Sequence, residues 1–271
     1  MSKNKRRDIP HFKTPIIETH CHLDYLDQKK LATTLEKSSQ VGIERIITIA
    51  VSTENLDSVM ALTKSSDNIW GTQGIHPHEA ESYSPEVDAI IRKNAAHDKI
   101  LAVGEIGLDY YYDHADRAVQ RCVFEQQLQT AIELDLPVVI HTRDADDDMR
   151  DILKNYSKSL SRKGVIHSFT SSMALAEFCL AEEFMLGFNG IATFKSANNV
   201  REVIAATPMK QILLETDAPY LTPVPYRGRP NAPYYLPFVA ETLATIKEVD
   251  IENLLQQAYN NSMDVFFSGT E

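Results

Sequence analysis

Hydrophobic positions along the chain fall into two alternating patterns. Short apolar runs rich in β-branched residues occupy Ile16–His22, Arg45–Ser52, Ile69–Pro77, Ile100–Asp109, Pro137–Arg143, Gly164–Phe169, Met185–Ile191 and Ile212–Pro219. Runs of this length bounded by turn residues read as strands. Between them, apolar residues recur at helical spacing, as in Phe124, Leu128, Ala131 and Ile132 ahead of Pro137. Ser84-Pro85-Glu86 has the signature of a helix start, with a capping hydroxyl followed by proline at the first helical position. A last helical stripe holds Ile251, Leu254, Leu255, Ala258, Tyr259 and Phe266, with Asp250 placed to cap it. From residue 16 to residue 212 the strands start in seven steps, on average 28 residues each. That is the length a strand, a return helix and two loops require. The alternation predicts a parallel sheet in an α/β fold. With 271 residues, closure into a (β/α)8 barrel, for which about 250 residues are typical, is the expected architecture. An open doubly wound sheet is the alternative that pattern alone leaves standing.

Residues 1–12 read as a short flexible tail and residues 13–268 as one barrel domain. Six of the 12 prolines lie between Pro219 and Pro237, which predicts a stiff loop after the eighth strand. No run of 18 apolar residues offers a membrane span. The basic N-terminus MSKNKRRDIP lacks the apolar run of a secretory signal. Cys21, Cys122 and Cys179 are widely spaced, which fits a reducing compartment, and a cytoplasmic protein is expected. With 27 basic against 38 acidic side chains the net charge is −11. A protein that coats nucleic acid non-specifically would want a basic face, so that class is disfavoured. An enzyme that meets a phosphodiester locally is not.

Side chains able to do chemistry gather where the apolar runs stop. The first strand ends His20-Cys21-His22; two residues apart on a strand, both imidazoles face the same side. Glu105 follows Ile100–Val103, where an unpaired carboxylate would be costly to bury. His141, His167 and Asp217 take the same place on the fifth, sixth and eighth strands. In a barrel those ends converge on one mouth, where such enzymes keep their active sites. Singly, each residue could be a satisfied core polar group. Four histidines and two carboxylates together call for a metal. Two divalent ions sharing a carboxylate fit the set better than one tetrahedral ion. Mixed imidazole and carboxylate donors suit Zn, Mn, Fe or Co, and Mg with added waters.

The motifs carrying these residues are His20-Cys21-His22-Leu23-Asp24, Gly104-Glu105-Ile106-Gly107-Leu108-Asp109-Tyr110, Pro137 to Ala145, His167-Ser168-Phe169 and Leu214-Glu215-Thr216-Asp217-Ala218-Pro219. In type and order they resemble those of the TatD family of metal-dependent deoxyribonucleases, from residue 16 to about residue 240. The resemblance implies an amidohydrolase-like (β/α)8 barrel and a dinuclear centre with His20, His22, Glu105, His141, His167 and Asp217 as ligands. Glu105 is implied to bridge, and Asp217 also to accept the proton of the attacking water. The implied cofactors are two divalent ions (Zn, Mg or Mn) and the implied substrate is DNA, met by weak local recognition and cut as by an exonuclease. An anionic phosphodiester resists neutral water, and divalent ions both acidify water and offset phosphoryl charge. Three positions depart from the family pattern: Glu18 stands where aspartate is usual, Ser171-Ser172 where glycine is common, and Ala232 where glutamate ends an Asn-Glu-Pro motif.

Substrate contacts are expected from His76 at the end of the third strand, Arg143, Lys195 and Arg227. For the three cations a solvated surface charge is an equal reading, and His78 reads better as a turn histidine. Tyr110, Tyr111 and Tyr112 offer stacking faces, though an aromatic run more often packs a rim. Asp144, Asp146, Asp147, Asp148 and Asp151 read as a solvated helix start favoured by the helix dipole. No membrane contact and no obligate protein partner are expected. The competing functions are an amide, lactone or ester hydrolase on the same site, an aminoacyl ester included, and a non-catalytic barrel.

Overall fold

A computed structural model describes residues 6–268. Eight parallel strands run β1 Ile16–Cys21, β2 Ile43–Thr48, β3 Ile69–Gln73, β4 Ile100–Asp109, β5 Val138–Arg143, β6 Gly164–Ile166, β7 Met185–Phe188 and β8 Ile212–Leu214. Each pairs with the next in sequence order, so the strand order never reverses. That excludes the doubly wound sheet. Hydrogen bonds between β1 and the β8 end close the ring: Thr19 Oγ1 donates to Leu214 O at 2.9 Å, Asp217 N to His20 O at 2.9 Å, and His22 N to Ala218 O at 2.7 Å. The fold is a (β/α)8 barrel.

The ladders stop short of several apolar runs. Ser52, Pro77, Phe169, Ile191 and Pro219 lie beyond their strands, and β2 begins at Ile43 rather than Arg45. Hydrophobicity reports burial, and the loops stay buried at the rim after pairing ends: Ile49, Ile75, Phe169 and Ala218 are all buried.

Helices α1 Leu31–Gln40, α2 Leu56–Ser65, α3 Pro85–Ala95, α4 Arg117–Leu134, α5 Asp146–Tyr156, α6 Met173–Ala181 and α7 Asn198–Ala206 return the chain between strands. Two more, α8 Leu236–Lys247 and α9 Ile251–Ser262, follow β8. Ser84 caps α3 ahead of Pro85, and Asp250 caps α9 by accepting from Glu252 N at 2.9 Å, both as the sequence predicts. Phe266 does not continue the α9 stripe. A π-helical turn, Met263–Phe267, carries Phe266 and Phe267 under the barrel, where they pack with Ile17, Ile47, Leu101, Val139, Val165 and Leu213. These aromatics plug the end of the barrel opposite its working mouth.

The expected flexible tail needs correction. Residues 1–5 lie outside the described residues. Residues 6–12 dock on the barrel: Arg7 pairs with Glu241 and lies over the Phe238 ring, Tyr226 Oη donates to Arg7 O, and Ile9 and Phe12 pack on apolar clusters. Phe238 on α8 and Tyr226 on the proline-rich loop supply the contact that sequence reading of a terminus cannot see. That loop folds back as expected, with Asn231 Nδ2 donating to Thr216 O at 2.9 Å and to Tyr220 O at 2.6 Å. Among the described residues, no helix is long and apolar enough to cross a membrane.

Candidate metal centre and active site

The C-terminal ends of the strands open into a cavity of about 590 Å³ whose lining includes His22, His76, His78, Glu105, His141, His167 and Asp217. At its floor is Glu105, only 3 % exposed. Its Oε1 lies 2.9 Å from His167 Nε2, 3.1 Å from His141 Nδ1 and 3.5 Å from His76 Nε2; its Oε2 lies 3.4 Å from His20 Nε2. Asp217 Oδ1 stands 3.4 Å from His22 Nε2 and 3.8 Å from His20 Nε2. All six residues singled out as ligands therefore meet at one place, brought from five strand ends.

Local backbone explains how. His20 is on β1 and His22 one residue beyond it, and the alternation of a strand sends both side chains inward. His167 and Asp217 come just after the short β6 and β8. Asp217 has φ +58°, a left-handed conformation that aspartate tolerates better than most residues. Gly107, at φ +139°, lets β4 pass β5 closely; a Cβ there would sit 2.0 Å from His141 O.

The electrostatics follow from burial and neighbours. Burial alone would push the Glu105 carboxyl up, but His167, His76 and His141 override it and hold it well below the usual carboxylate range. Burial would likewise lower His167, yet Glu105 and Glu215 raise it well above the usual histidine range. Burial and His167 lower His20. Burial and His141 hold His76 well below its ordinary value, so that ring is neutral. Burial raises Asp217, but His22 and His167 bring it below its usual value, leaving it ionised at neutral pH.

A metal fits this donor set. His20 and His167 stack at 3.8 Å between ring centroids, and their Nε2 atoms are buried without a hydrogen-bond partner. Two orphaned imidazole nitrogens beside an ionised carboxylate would be costly unless a cation joined them. Among the described residues, three groups bring ligand atoms within 4.8 Å of one another: His20, His22 and Asp217; His20, Glu105 and His167; and His76, Glu105 and His141. The first two share His20, and the last two share Glu105.

His76 differs from the others in its hydrogen bonding. Its Nδ1 accepts from His78 N at 3.1 Å. The neutral ring then carries its proton on Nε2, which makes that atom a donor toward the cavity. His22 shows the opposite arrangement: its Nδ1 contacts Ile49 O at 3.3 Å, which leaves the Nε2 lone pair facing Asp217.

Of the expected cations only Arg143 lines the cavity, with its guanidinium 4.5 Å from the centre of the Tyr111 ring. Lys195 and Arg227 are exposed and are not among the lining residues. The turn Gly190–Thr193 directs the chain outward, and Arg227 covers the Phe194 ring at 4.1 Å. Tyr111 and Tyr112 stand exposed at the rim, while Tyr110 turns aside to donate to Asp148 at 2.5 Å. Asp146 and Asp148 serve locally, accepting from Ser172 and Arg121.

Sequence reading missed four residues. Asp109 Oδ2 lies 2.9 Å from His141 Nε2 and 3.0 Å from His78 Nε2. Glu215, fully buried, faces His167 Nδ1 at 3.5 Å. Spacing carried a signal for both, since Glu105 to Asp109 and Glu215 to Asp217 are even steps. Tyr25 and Tyr220 flank His22 at ring separations of 5.4 and 6.2 Å, on loops that no periodicity marks.

Comparison with known proteins decides the family. The model of the family described as TatD related DNase matches residues 17–267. The chain belongs to this family. The uncharacterized metal-dependent hydrolase YabD of Bacillus subtilis is 35 % identical over 252 residues, covering 93 % of this chain and 98 % of YabD. YcfH of Escherichia coli K12, also named a metal-dependent hydrolase, is 34 % identical over 256 residues, covering 93 % and 95 %. The crystal structure of the TatD homolog YjjV of E. coli K12 superposes with a TM-score of 0.88 at 31 % identity, covering 93 % of this chain and 98 % of that one. Family and fold together make this chain a TatD-family metal-dependent hydrolase.

Proposed function

We propose that this TatD-family hydrolase is a deoxyribonuclease that cleaves phosphodiester bonds at DNA ends, with two divalent ions held by His20, His22, Glu105, His141, His167 and Asp217. The observation that carries the reading is the buried Glu105 carboxylate with four histidines around it. Glu105 touches two of the candidate ligand groups, as a bridging residue must. When bound, zinc, magnesium or manganese would polarise a phosphoryl oxygen and acidify water. The chain's own residues supply the rest. Asp217 is ionised and adjoins the cavity, so it can accept the proton of an attacking water. His76 presents an Nε2–H donor to a substrate oxygen. Arg143 offers a guanidinium on the cavity wall for a phosphate. The neighbouring tyrosines 25, 112 and 220 supply apolar walls. Three unpaired cysteines support a cytoplasmic setting.

One observation favours a second reading. Among the described residues, Arg143 is the only lysine or arginine lining the cavity, against Glu54, Glu79, Glu105, Asp109 and Asp217. A polyanionic strand would find little attraction there. An amide, lactone or ester substrate, including an aminoacyl ester, suits that wall better.

Elemental analysis of the purified protein, with cleavage of end-labelled single- and double-stranded DNA, separates the two. Glu105→Ala and Asp217→Asn are expected to lower cleavage by about 10²–10⁴-fold. Undiminished cleavage by both variants would sink the mechanism. Metal-loaded protein that leaves all DNA intact would favour the ester or amide hydrolase.

A further inference from the structure

Asp109 is not one of the candidate ligands, yet its carboxylate makes as many contacts in the site as that of Glu105. Its carboxylate is buried, and all four of its contacts point at parts of the mouth. Oδ2 meets His141 Nε2 at 2.9 Å and His78 Nε2 at 3.0 Å. Oδ1 accepts from the main-chain N–H groups of Tyr111 at 3.1 Å and Tyr112 at 2.9 Å. The backbone beneath is clamped as well: Asp109 N donates to Gln120 Oε1 at 2.8 Å, and Gln120 Nε2 donates back to Asp109 O at 3.1 Å. Gln120 is itself fully buried on α4. The carboxylate therefore has one available orientation.

We propose that Asp109 is a positioning residue that holds the proton of His141 on Nε2, so that Nδ1 is the nitrogen presented to the metal centre beside Glu105. An imidazole that serves as a metal ligand gives its other N–H to an acceptor, and that acceptor fixes the tautomer. His141 lies between two carboxylates, Asp109 at Nε2 and Glu105 at Nδ1, 3.1 Å away; Glu105 belongs to the candidate ligand groups, which leaves Asp109 as the acceptor for the nitrogen that does not bind. The inference rests on reading His141 as a ligand. It adds which nitrogen binds and what enforces the choice. The same carboxylate oxygen also holds His78, whose main-chain N–H fixes His76. Asp109 thus sets the hydrogen bonding of two histidines that face the cavity from different strands.

The geometry makes a sharp prediction for Asp109→Asn. The two tyrosine amides at Oδ1 can pair only with an acceptor, so they select the carboxamide oxygen. The NH₂ group is then left facing His78 and His141. Against a donor, Nε2 of His141 must accept, which moves the proton to Nδ1 and closes that nitrogen to a metal. The tyrosine contacts survive, so a merely structural role for Asp109 would leave the tautomer unchanged.

The test is a long-range ¹H–¹⁵N correlation spectrum of ¹⁵N-histidine-labelled, metal-free protein at alkaline pH, where the imidazole is neutral, together with zinc affinity by chelator competition. Wild type is expected to carry the His141 proton on Nε2, and Asp109→Asn on Nδ1 with zinc bound about 10–100-fold more weakly. A wild-type proton on Nδ1 would overturn the proposal, and does so without any variant having to fold. An unchanged tautomer and unchanged zinc affinity in Asp109→Asn would overturn it as well. Neither readout uses DNA, so an inverted tautomer in a protein that cleaves no DNA would retire the nuclease reading and leave this one standing.

Discussion

Gly187 tests how tightly the support behind His167 is packed. It lies on β7 and has no side chain of its own, and a Cβ built on it would sit 2.3 Å from Glu215 Oε2, 2.9 Å from Glu215 Cδ and 3.3 Å from His167 Cα. Ordinary contact begins at 3.4 Å, so Gly187→Ala requires a retreat of about 1.1 Å. Glu215 cannot retreat freely. Its Oε1 accepts from Ser168 N at 2.7 Å and from Asn189 Nδ2 at 3.3 Å, and it faces His167 Nδ1. A shift of that size stretches the Ser168 bond beyond hydrogen-bonding range. Overpacking of this kind costs about 1–3 kcal/mol. Weakening a hydrogen bond to a buried carboxylate adds about 1.5–3 kcal/mol. The sum is about 2.5–6 kcal/mol from one added methyl group. Urea unfolding followed by fluorescence of Trp70, the single tryptophan, measures it. Zinc affinity should fall too, because His167 loses the acceptor opposite its ligand nitrogen. Gly228→Ala is the control: nothing lies within 4 Å of a Cβ there, though φ is +87°. Its cost should be about 1–2 kcal/mol, from backbone strain alone, with zinc affinity unchanged. A Gly187→Ala protein with the wild-type urea midpoint and zinc affinity would refute the reasoning.

Asp88 should stabilise the fold at neutral pH. It is partly buried, and although burial raises its pKa, hydrogen bonds from Arg92, Thr130 and Tyr83 bring it below the usual value. A folded pKa below the unfolded one means stability that is present above the unfolded value, about 3.9, and lost as pH falls through the folded value. Asp88→Asn should therefore cost about 1–3 kcal/mol at neutral pH, with the gap to wild type closing in acid; a gap independent of pH in urea titrations would contradict this. Cys179 and Cys21 are buried and Cys122 is exposed; burial pushes the Cys179 thiol up to about 12. Native protein should alkylate at Cys122 alone and at all three thiols in urea, as read by mass spectrometry of digested protein. Arg143→Ala should raise KM for DNA and flatten its dependence on salt while changing kcat little; an unchanged KM would remove Arg143 from substrate binding.

Much of this molecule is legible in the order of its residues. The barrel follows from eight apolar runs at a steady spacing, because burial on both faces of a parallel sheet leaves continuous β-branched stretches. The six meeting points followed from where each run stopped, because strands of one barrel end at one mouth. His20, Glu105 and Asp217 are far apart in the chain, but each marks the same boundary between apolar strand and polar rim. Strand ends were less legible: Phe169 and Ala218 are buried although they lie beyond β6 and β8, and hydrophobicity does not separate strand from buried loop.

Other features needed the third dimension. Lys195 and Arg227 looked like equals of Arg143, since charge and sequence position are all a sequence offers. Only the path of the chain after β7 separates them, turning Lys195 outward and laying Arg227 on Phe194. The docking of residues 6–12 depends on aromatic surface more than 200 residues away. The choice between Nδ1 and Nε2 at His141 is subtler still. It depends on a carboxylate whose orientation is fixed by two main-chain amides and by Gln120 from another element. Sequence determined the six groups that gather around Glu105 and Asp217, because burial and periodicity are properties of single segments. Tertiary structure decided which way each group faces and what it can donate or accept, because hydrogen-bond direction exists only between segments.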